Sequence, residues 1–224
     1  MHMDQLRDRW TDPLLTVLTG LIVVMMFVVA PLQALGIFAF QVFEFVLAIL
    51  LVGGVFVLSG SRLAVVAMLG AIAMITTGAV LRLRSPSILD LNLFAGSWLI
   101  MGVVLGWVVA RATFAPGRVT YHRVIGAVLL YLTVAVTFAS LFTFVGSLIP
   151  KAFAGMAVED SPALATQLIY FSFATLTTTG YGDISPIHPI ARSLCNLEAI
   201  FGQLYPATLL ARLVTLEVAH RSQP

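Results

Sequence analysis

The pattern of apolar and polar positions divides the chain into six long apolar segments, most of them separated by short breaks that contain Gly, Ser or Pro. A helix needs about 20 apolar residues to cross a bilayer, and each segment is close to that length or longer. The pattern therefore predicts six transmembrane helices. They cover residues 14–30, 38–58, 63–81, 93–110, 124–148 and 190–218.

The stretch between the fifth and sixth segments is long, polar and irregular, so it does not predict a seventh span. Ser161-Pro162 is typical of a helix start, with Ser as the N-cap and Pro at the first helical position. Residues 163–176 then predict a short helix of about four turns. A glycine-rich loop follows and ends near Ser185-Pro186. The predicted order is helix, short re-entrant helix, loop, helix.

Composition also indicates a membrane protein, because 60% of the residues are hydrophobic and only 10% are charged. The net charge of +2 is too small to indicate a nucleic-acid partner, and the single cysteine excludes an intrachain disulfide. With no nucleophile–base pair and no metal-ligand spacing, we expect neither an enzyme nor a cofactor. We expect an all-α membrane protein with two domains, a four-helix domain at residues 1–113 and a domain with the re-entrant helix at residues 114–224.

The basic residues predict the orientation of the chain. With a cytoplasmic N-terminus, eight basic residues lie inside and four outside, so both termini are cytoplasmic and the re-entrant loop faces outward. Arg82 and Arg84 fall on the outer side against this rule, and the sequence does not explain them. Glu44, an acid within the second segment, is functional or paired by default, and we expect it to pair with a basic residue of the third helix region, such as Arg82. The fourth segment has no Lys or Arg before Arg111, so we expect the four-helix domain to lack voltage-sensor charges.

Residues 178–182, Thr-Thr-Gly-Tyr-Gly, form the centre of the loop. A dehydrated potassium ion needs a cage of oxygens, and backbone carbonyls provide one when successive residues turn them the same way. Gly180 and Gly182 permit such a backbone because glycine adopts left-handed angles without a Cβ clash. Thr178 adds a hydroxyl oxygen at the inner end. One loop provides one wall of the cage, so about four copies around an axis are needed, which predicts a homotetramer.

Residues 175–183 match the pattern Thr-x-x-Thr-x-Gly-Tyr-Gly-Asp and resemble the filter signature of the potassium channel superfamily. Residues 170–173, Tyr-Phe-Ser-Phe, stand where that family has an aromatic pore helix, and residues 197–205 look like the inner helix of small bacterial channels. The resemblance covers about residues 124–218 and does not clearly include the first four helices. Thr179 departs from the Val or Ile that the family often has at this position.

The resemblance implies passive, potassium-selective conduction across a cell membrane, the bacterial inner membrane. Its partners are the lipid bilayer and three further copies of the chain, and no cofactor is implied besides the permeant potassium ions. The bound ions are expected at Thr178, Thr179, Gly180 and Tyr181. Two other functions remain open: a secondary potassium transporter, which would need several such loops in one longer chain, and a non-conducting regulatory subunit, which would need a defective loop. Because only six residues follow position 218, we expect no cytoplasmic regulatory domain.

Residues outside the loop are expected to support it or to control opening. The resemblance implies a hydrogen bond between Tyr170 and Asp183, with a freely solvated Asp183 as the alternative. It also implies a hinge at Gly202 and a place on the ion cavity for Gln203. Pro206 lies one turn after Gly202, and both residues weaken helix rigidity.

Glu198 is an acid deep in the sixth segment, where a charge is costly unless it is partnered or hydrated. It lies five residues before Gln203, which at 3.6 residues per turn puts it roughly 140° away from the cavity stripe. We therefore expect Glu198 to point towards the re-entrant helix and to brace the filter. Three hydroxyl donors are available there, Ser172, Thr175 and Thr177. A carboxylate on the cavity that attracts cations is the alternative.

Overall fold

The computed structural model describes the backbone of residues 2–36, 40–59, 61–84, 87–114, 121–159, 161 and 163–221, and the side chains of these residues except 2–12, 40–45 and 212–221. Within this part, the chain is helical apart from loops and one pair of two-residue strands. The helices are α1 (His2–Val24), α2 (Ala30–Ala34), α3 (Phe40–Ser59), α4 (Arg62–Arg84), α5 (Ile88–Thr113), α6 (Tyr121–Leu148), α7 (Leu164–Leu176) and α8 (Pro189–Arg221). The strands are β1 (Phe153–Ala154) and β2 (Ser185–Pro186).

The first apolar segment does not end at Pro31, where the sequence predicts a break, but continues to Ala34. A π-helical turn, Met25–Val29, directly precedes this part of the helix. The regular i to i−4 hydrogen bonds are already interrupted there, so the missing N–H of proline does not end the helix. The helix stops before Gly36, whose φ of +73° is a left-handed conformation common after helix ends.

Two helix starts differ from the sequence prediction. α5 begins at Ile88 rather than at residue 93, because Ser87 and Asp90 form a capping box in which the Ser87 N–H donates to Oδ1 of Asp90 at 2.6 Å. α7 begins at Leu164 with Ala163 as its N-cap and no side-chain cap bond. The predicted capping role of Ser161 is therefore wrong, and Ser161 instead accepts the Leu164 N–H with its carbonyl at 3.1 Å.

The first helices pack against α6 and reach α7. Their shared core contains buried side chains from α1, α3, α4, α5 and α6, including Leu18, Leu51, Met68, Leu105 and Leu129. Thr16 on α1 is hydrogen-bonded to Nδ1 of His122 on α6 at 2.9 Å. The Thr166 hydroxyl on α7 donates to the carbonyl of Ala30 at 3.0 Å. These contacts connect the N-terminal helices directly to the re-entrant helix.

A second core cluster fixes α7 in place. The rings of Phe142 on α6 and Phe171 on α7 have centroids 4.9 Å apart, and both contact Phe153 on β1, at 5.8 Å and 5.4 Å. Such aromatic pairs contribute about 0.5–1.5 kcal/mol each beyond the area they bury. The cluster holds the re-entrant helix to the preceding helix and to the strand that starts the connection.

Four helical stretches among the described residues are long and apolar enough to cross a membrane, namely Pro13–Ala34, Arg62–Arg84, Ile88–Thr113 and Tyr121–Leu148. The stretch Val46–Ser59 of α3 is apolar but shorter, and α8 is not among the four. The chain is thus a multi-pass, all-helical membrane protein, while the count of six spans stays a prediction. The side chain of Glu44 lies outside the described residues, so its pairing with Arg82 also stays a prediction.

Candidate functional site

The loop at residues 178–182, here named the glycine loop, follows the C-terminal end of α7. Its backbone alternates in handedness, with a φ of +57° at Thr178, +56° at Gly180 and +84° at Gly182, and no positive φ at Thr179 or Tyr181 between them. Alternating left- and right-handed residues bring successive N–H groups to one side of a chain, which leaves the carbonyls of the same peptides on the other. Such a row of carbonyl oxygens is suited to bind a dehydrated monovalent cation.

Hydrogen bonds tie the glycine loop to the end of α7. The N–H of Thr178 donates to the carbonyl of Thr175 at 2.9 Å, and the N–H of Gly180 donates to the carbonyl of Ala174 at 3.0 Å. Residues 177–183 are nevertheless all exposed in the single chain. The backbone of the loop is thus held by the helix, while its surface is open to further partners.

Tyr170 on α7 lies beside the end of the glycine loop. Its ring stacks on that of Tyr181, with centroids 5.8 Å apart and 12° between the ring planes. Desolvation of the phenol and, to a smaller extent, its interaction with the carboxylate of Asp183 raise the pKa of Tyr170. The structure therefore brings together the two residues, Tyr170 and Asp183, for which the resemblance implies a contact.

Two contacts join the segment before α7 to the segment after the glycine loop. β1 and β2 pair antiparallel, with Phe153 opposite Pro186. Gly155 follows β1 with a φ of +82°, and a Cβ on it would lie 1.8 Å from the carbonyl oxygen of Asp183. Only glycine permits this approach. The sequence contains no local signal for it, since the partner is distant along the chain.

Glu198 on α8 is fully buried and faces α7. Its Oε1 is hydrogen-bonded to the hydroxyl of Ser172, while its Oε2 has no hydrogen-bond partner. The Ser172 hydroxyl also lies 2.8 Å from the carbonyl oxygen of Ala135 on α6. The hydroxyl hydrogen of Ser172 bonds to only one acceptor at full strength. Both contacts are therefore satisfied when Glu198 is protonated and donates to the Ser172 hydroxyl, which in turn donates to the Ala135 carbonyl. Of the two predicted positions for Glu198, the structure has the one behind the re-entrant helix.

The hydroxyls of the other two predicted donors bond elsewhere. Thr175 and Thr177 each donate to the carbonyl four residues earlier in α7, at 2.9 Å and 2.7 Å. Threonine hydroxyls often bond in this way within their own helix. Thr177 also lies 2.8 Å from the hydroxyl of Thr179, which joins the helix end to the glycine loop.

α8 packs closely against the junction between α7 and the glycine loop. A Cβ on Gly202 would lie 1.7 Å from the carbonyl oxygen of Leu176, so glycine is required for this packing. The next residue, Gln203, donates from Nε2 to Oγ1 of Thr178 at 2.9 Å. The residues predicted for the hinge and the cavity thus both touch this junction.

Beyond this point α8 passes Pro206 without a break. The preceding residue, Tyr205, donates to the carbonyl of Ala127 on α6 at 2.8 Å and stacks on Tyr131 with centroids 6.0 Å apart. The Tyr131 hydroxyl donates to the carbonyl of Leu176 at 3.5 Å. Neither tyrosine stands out in the apolar pattern, although a phenol in an apolar segment signals a buried polar partner.

Known proteins with related sequences identify the family. The family model described as an ion channel matches residues 97–218, which is more than half of the chain. The inward rectifier potassium channel Kirbac3.1 of Paramagnetospirillum magnetotacticum is 41% identical over 51 residues, 22% of this chain and 17% of that protein. Protein LctB of Bacillus caldotenax is 31% identical over 87 residues, 38% of this chain and 64% of that protein.

The chain spans less than two thirds of the length of either relative. No solved structure matches it. The family match nevertheless extends from α5 through the glycine loop into α8, and it covers every residue of the site described above. This chain belongs to the ion channel family, as a member of the potassium channel superfamily.

Proposed function

We propose that four copies of this chain form a potassium-selective channel in which the glycine loops surround the ion path. The observation that carries the proposal is the alternating backbone of residues 178–182, which favours a row of carbonyl oxygens on one side of the loop. The hydroxyl of Thr178 adds a further oxygen at one end. Potassium ions would bind between layers of these oxygens, at Thr178, Thr179, Gly180 and Tyr181.

The exposure of the loop supports assembly around an axis. Irregular backbone at membrane depth is tolerated only where it is buried in protein or lines a water-filled cavity. The side chain of Tyr181 is 70% exposed in the single chain, and the rest of the loop is exposed as well. Other copies of the chain would cover one side of each loop and leave the other side to the ions.

The end of α7 supports cation binding electrostatically. The C-terminus of a helix carries a partial negative charge, because its last carbonyls have no partner within the helix. α7 ends at Leu176, directly before the glycine loop. In a tetramer, four such helix ends would face the inner side of the ion path and favour a cation there.

The remaining features of the architecture are part of the same proposal. α3 and α8 would also cross the bilayer, which gives six spans, with residues 1–113 as an N-terminal domain and residues 114–224 as the pore domain. Both termini would be cytoplasmic, in the inner membrane of a bacterium. The name of one relative, an inward rectifier potassium channel, favours potassium as the permeant ion.

Planar bilayer recording of the purified protein in mixed potassium and sodium solutions tests the proposal. We expect single-channel steps and a reversal potential that follows the potassium gradient. Gly180→Ala should abolish potassium selectivity, because a φ of +56° is strained for alanine although no atom lies within 4 Å of the added Cβ. Gly20→Ala is the matched control: it also meets open space, but in a helix.

Other results would reject the proposal. Equal permeability to sodium and potassium in the unmodified protein would exclude a potassium-selective filter. Slow, saturable potassium uptake without current steps would indicate a transporter, and no ion movement would indicate a non-conducting subunit. If Gly20→Ala impaired selectivity as strongly as Gly180→Ala, the effect would not arise from the backbone of the glycine loop.

A further inference from the structure

The four carbonyl groups at the C-terminal end of α7 all have hydrogen-bond donors. The last carbonyls of a helix have no partner within the helix, and buried ones need a donor from elsewhere. Those of Phe173, Ala174 and Thr175 accept backbone N–H groups from the residues that follow α7. The last one, at Leu176, accepts the hydroxyl of Tyr131 on α6. The end of α7 therefore depends on a side chain from another helix.

The Leu176 carbonyl lies at a crowded point of the structure. The side chain of Leu176 is fully buried, and a Cβ on Gly202 of α8 would lie 1.7 Å from its carbonyl oxygen. Leu176 is two residues before Thr178, so a displacement of its peptide would move the start of the glycine loop. The bond from Tyr131 measures 3.5 Å, which is longer than the usual range for a hydroxyl donor. Its strength therefore depends on where the ring of Tyr131 lies.

Tyr205 on α8 fixes the position of that ring. The rings of Tyr131 and Tyr205 stack with centroids 6.0 Å apart and 25° between their planes. The hydroxyl of Tyr205 donates to the carbonyl of Ala127, one helical turn before Tyr131 on α6, at 2.8 Å. These contacts connect α8 with the hydroxyl that reaches Leu176.

We propose that Tyr131 is a positioning residue for the ion path and that Tyr205 acts through it. The position of α8 would then set the strength of the bond from Tyr131 to the Leu176 carbonyl. This role rests on the proposed channel function, because it affects conduction only if the glycine loop lines the ion path. A movement of α8 that separates the two rings leaves the buried carbonyl without its donor, which is unfavourable. The base of the glycine loop then loses a restraint.

Hydrogen exchange of the glycine loop tests this role without any measurement of ion flow. The amides of Thr178 and Gly180 are bonded to carbonyls of α7, so their exchange reports how firmly the loop is held. Tyr131→Phe removes the hydroxyl and keeps the ring. In the purified protein, it should speed exchange of the peptide with residues 177–183 about two- to tenfold, as expected for the loss of one hydrogen bond. Tyr205→Phe should have a smaller effect in the same direction.

The double variant and two controls separate this role from a general loss of stability. The double variant should exchange no faster than Tyr131→Phe alone, because Tyr205 acts through Tyr131. Tyr121→Phe, on the same helix but 74% exposed, should leave exchange unchanged. The amides of α4 should exchange at the normal rate in every variant. In bilayer recordings, Tyr131→Phe should lose conductance faster than the unmodified protein when external potassium is lowered.

Three results would overturn the proposal. Normal exchange of the glycine loop in Tyr131→Phe would show that the bond to Leu176 does not restrain it. Effects of the two substitutions that multiply in the double variant would show that Tyr205 acts independently of Tyr131. Faster exchange in α4 as well as in the loop would indicate general destabilisation. If the exchange results were as expected but the unmodified protein conducted no potassium, the channel function would fail while the restraint by Tyr131 would stand.

Discussion

Thr178 has a backbone conformation that is rare for its side chain. A left-handed φ at a β-branched residue is an outlier and costs about 1–3 kcal/mol. The structure holds Thr178 with two hydrogen bonds, from its N–H to Thr175 and from the amide of Gln203 to its hydroxyl. Strain maintained in this way is typical of functional sites, which agrees with the proposed role of Thr178 at one end of the ion path.

The bond between Gln203 and Thr178 leads to a first prediction. Gln203→Leu removes the amide but keeps a side chain of similar size, so Thr178 loses one of its two restraints. A hydrogen bond of this kind contributes about 0.5–1.5 kcal/mol. We expect faster loss of conductance when external potassium is lowered, by up to about tenfold. Recordings at stepped potassium concentrations measure this.

Gln167→Leu on the exposed side of α7 is the matched control for Gln203→Leu and should conduct normally. If the Gln203 variant inactivated at the normal rate, the bond would not stabilise the glycine loop. A role of Gln203 in the cavity alone would instead change block by internal cations without changing inactivation.

A second prediction concerns Glu198. Since its carboxyl is buried and shares the Ser172 hydroxyl with a carbonyl, a neutral amide should replace it well. Glu198→Gln should conduct with little change in block by internal polyamines. Ser172→Ala should lower the stability of the protein by about 1–3 kcal/mol, because it leaves Glu198 without its hydrogen-bond partner. Thermal unfolding in detergent measures the stability.

The opposite pattern would contradict this interpretation of Glu198. A large loss of polyamine block in Glu198→Gln would place the carboxylate on the ion cavity. Thr143→Val is a suitable control for Ser172→Ala, since the Thr143 hydroxyl is bonded only to a carbonyl of its own helix at 2.9 Å and should be dispensable.

At the scale of elements, the site depends on the contact between α7 and α8. Three positions on α8 meet three on α7 or the loop: Glu198 meets Ser172, Gly202 meets Leu176 and Gln203 meets Thr178. Glu198 and Gly202 are four residues apart and lie on one face of α8, while Gln203, the residue after Gly202, reaches the start of the glycine loop. We therefore expect a movement of α8 to shift the base of the glycine loop.

Gly202 provides a prediction that separates packing from hinge motion. Gly202→Ala places a Cβ against the Leu176 carbonyl, so we expect reduced thermal stability and impaired potassium selectivity. Pro206→Ala should not reduce stability, because proline within a helix costs about 3 kcal/mol and nothing comparable is lost. Thermal unfolding and reversal potentials measure both variants.

The hinge interpretation predicts a different result for the same pair. Both variants would then lower open probability while stability and selectivity stay normal. Gly70→Ala on α4, where no atom lies within 4 Å of the added Cβ, controls for a general effect of the substitution.

At the scale of the whole molecule, the N-terminal helices are part of the same packed structure as the re-entrant helix. The rings of Phe27 and Phe173 lie 5.6 Å apart, and Thr166 bonds to Ala30. We therefore interpret the N-terminal helices as a support for α7 rather than as a detector of voltage.

The final prediction is weak voltage dependence. α5, the fourth long helix, contains no Lys or Arg before Arg111 in its last turn. Each gating charge that crosses the membrane field contributes about 2.3 kcal/mol per 100 mV, and steep gating needs several. We expect conductance to change little with voltage in bilayer recordings. A steep conductance–voltage curve that persisted in Arg111→Gln would contradict this, since the charge would have to come from elsewhere.

Some features follow from local chemistry and were accessible without a structure. The helical segments, the re-entrant helix and the glycine loop are visible because hydropathy, glycine spacing and helix periodicity act over neighbouring residues. The position of Glu198 behind α7 follows from the turn angle of one helix. The capping box at Ser87 and Asp90 was also readable, since its two residues are three apart.

The sequence alone determined the membrane class, the order of elements and the position of the glycine loop. Each of these depends on residues within one segment. Only the tertiary structure decided which distant groups meet. Gly155 against Asp183, Gly202 against Leu176 and Tyr205 against Ala127 all require segments that are far apart in sequence to pack together. Local propensities do not predict such contacts, because the same local sequence is compatible with many tertiary packings.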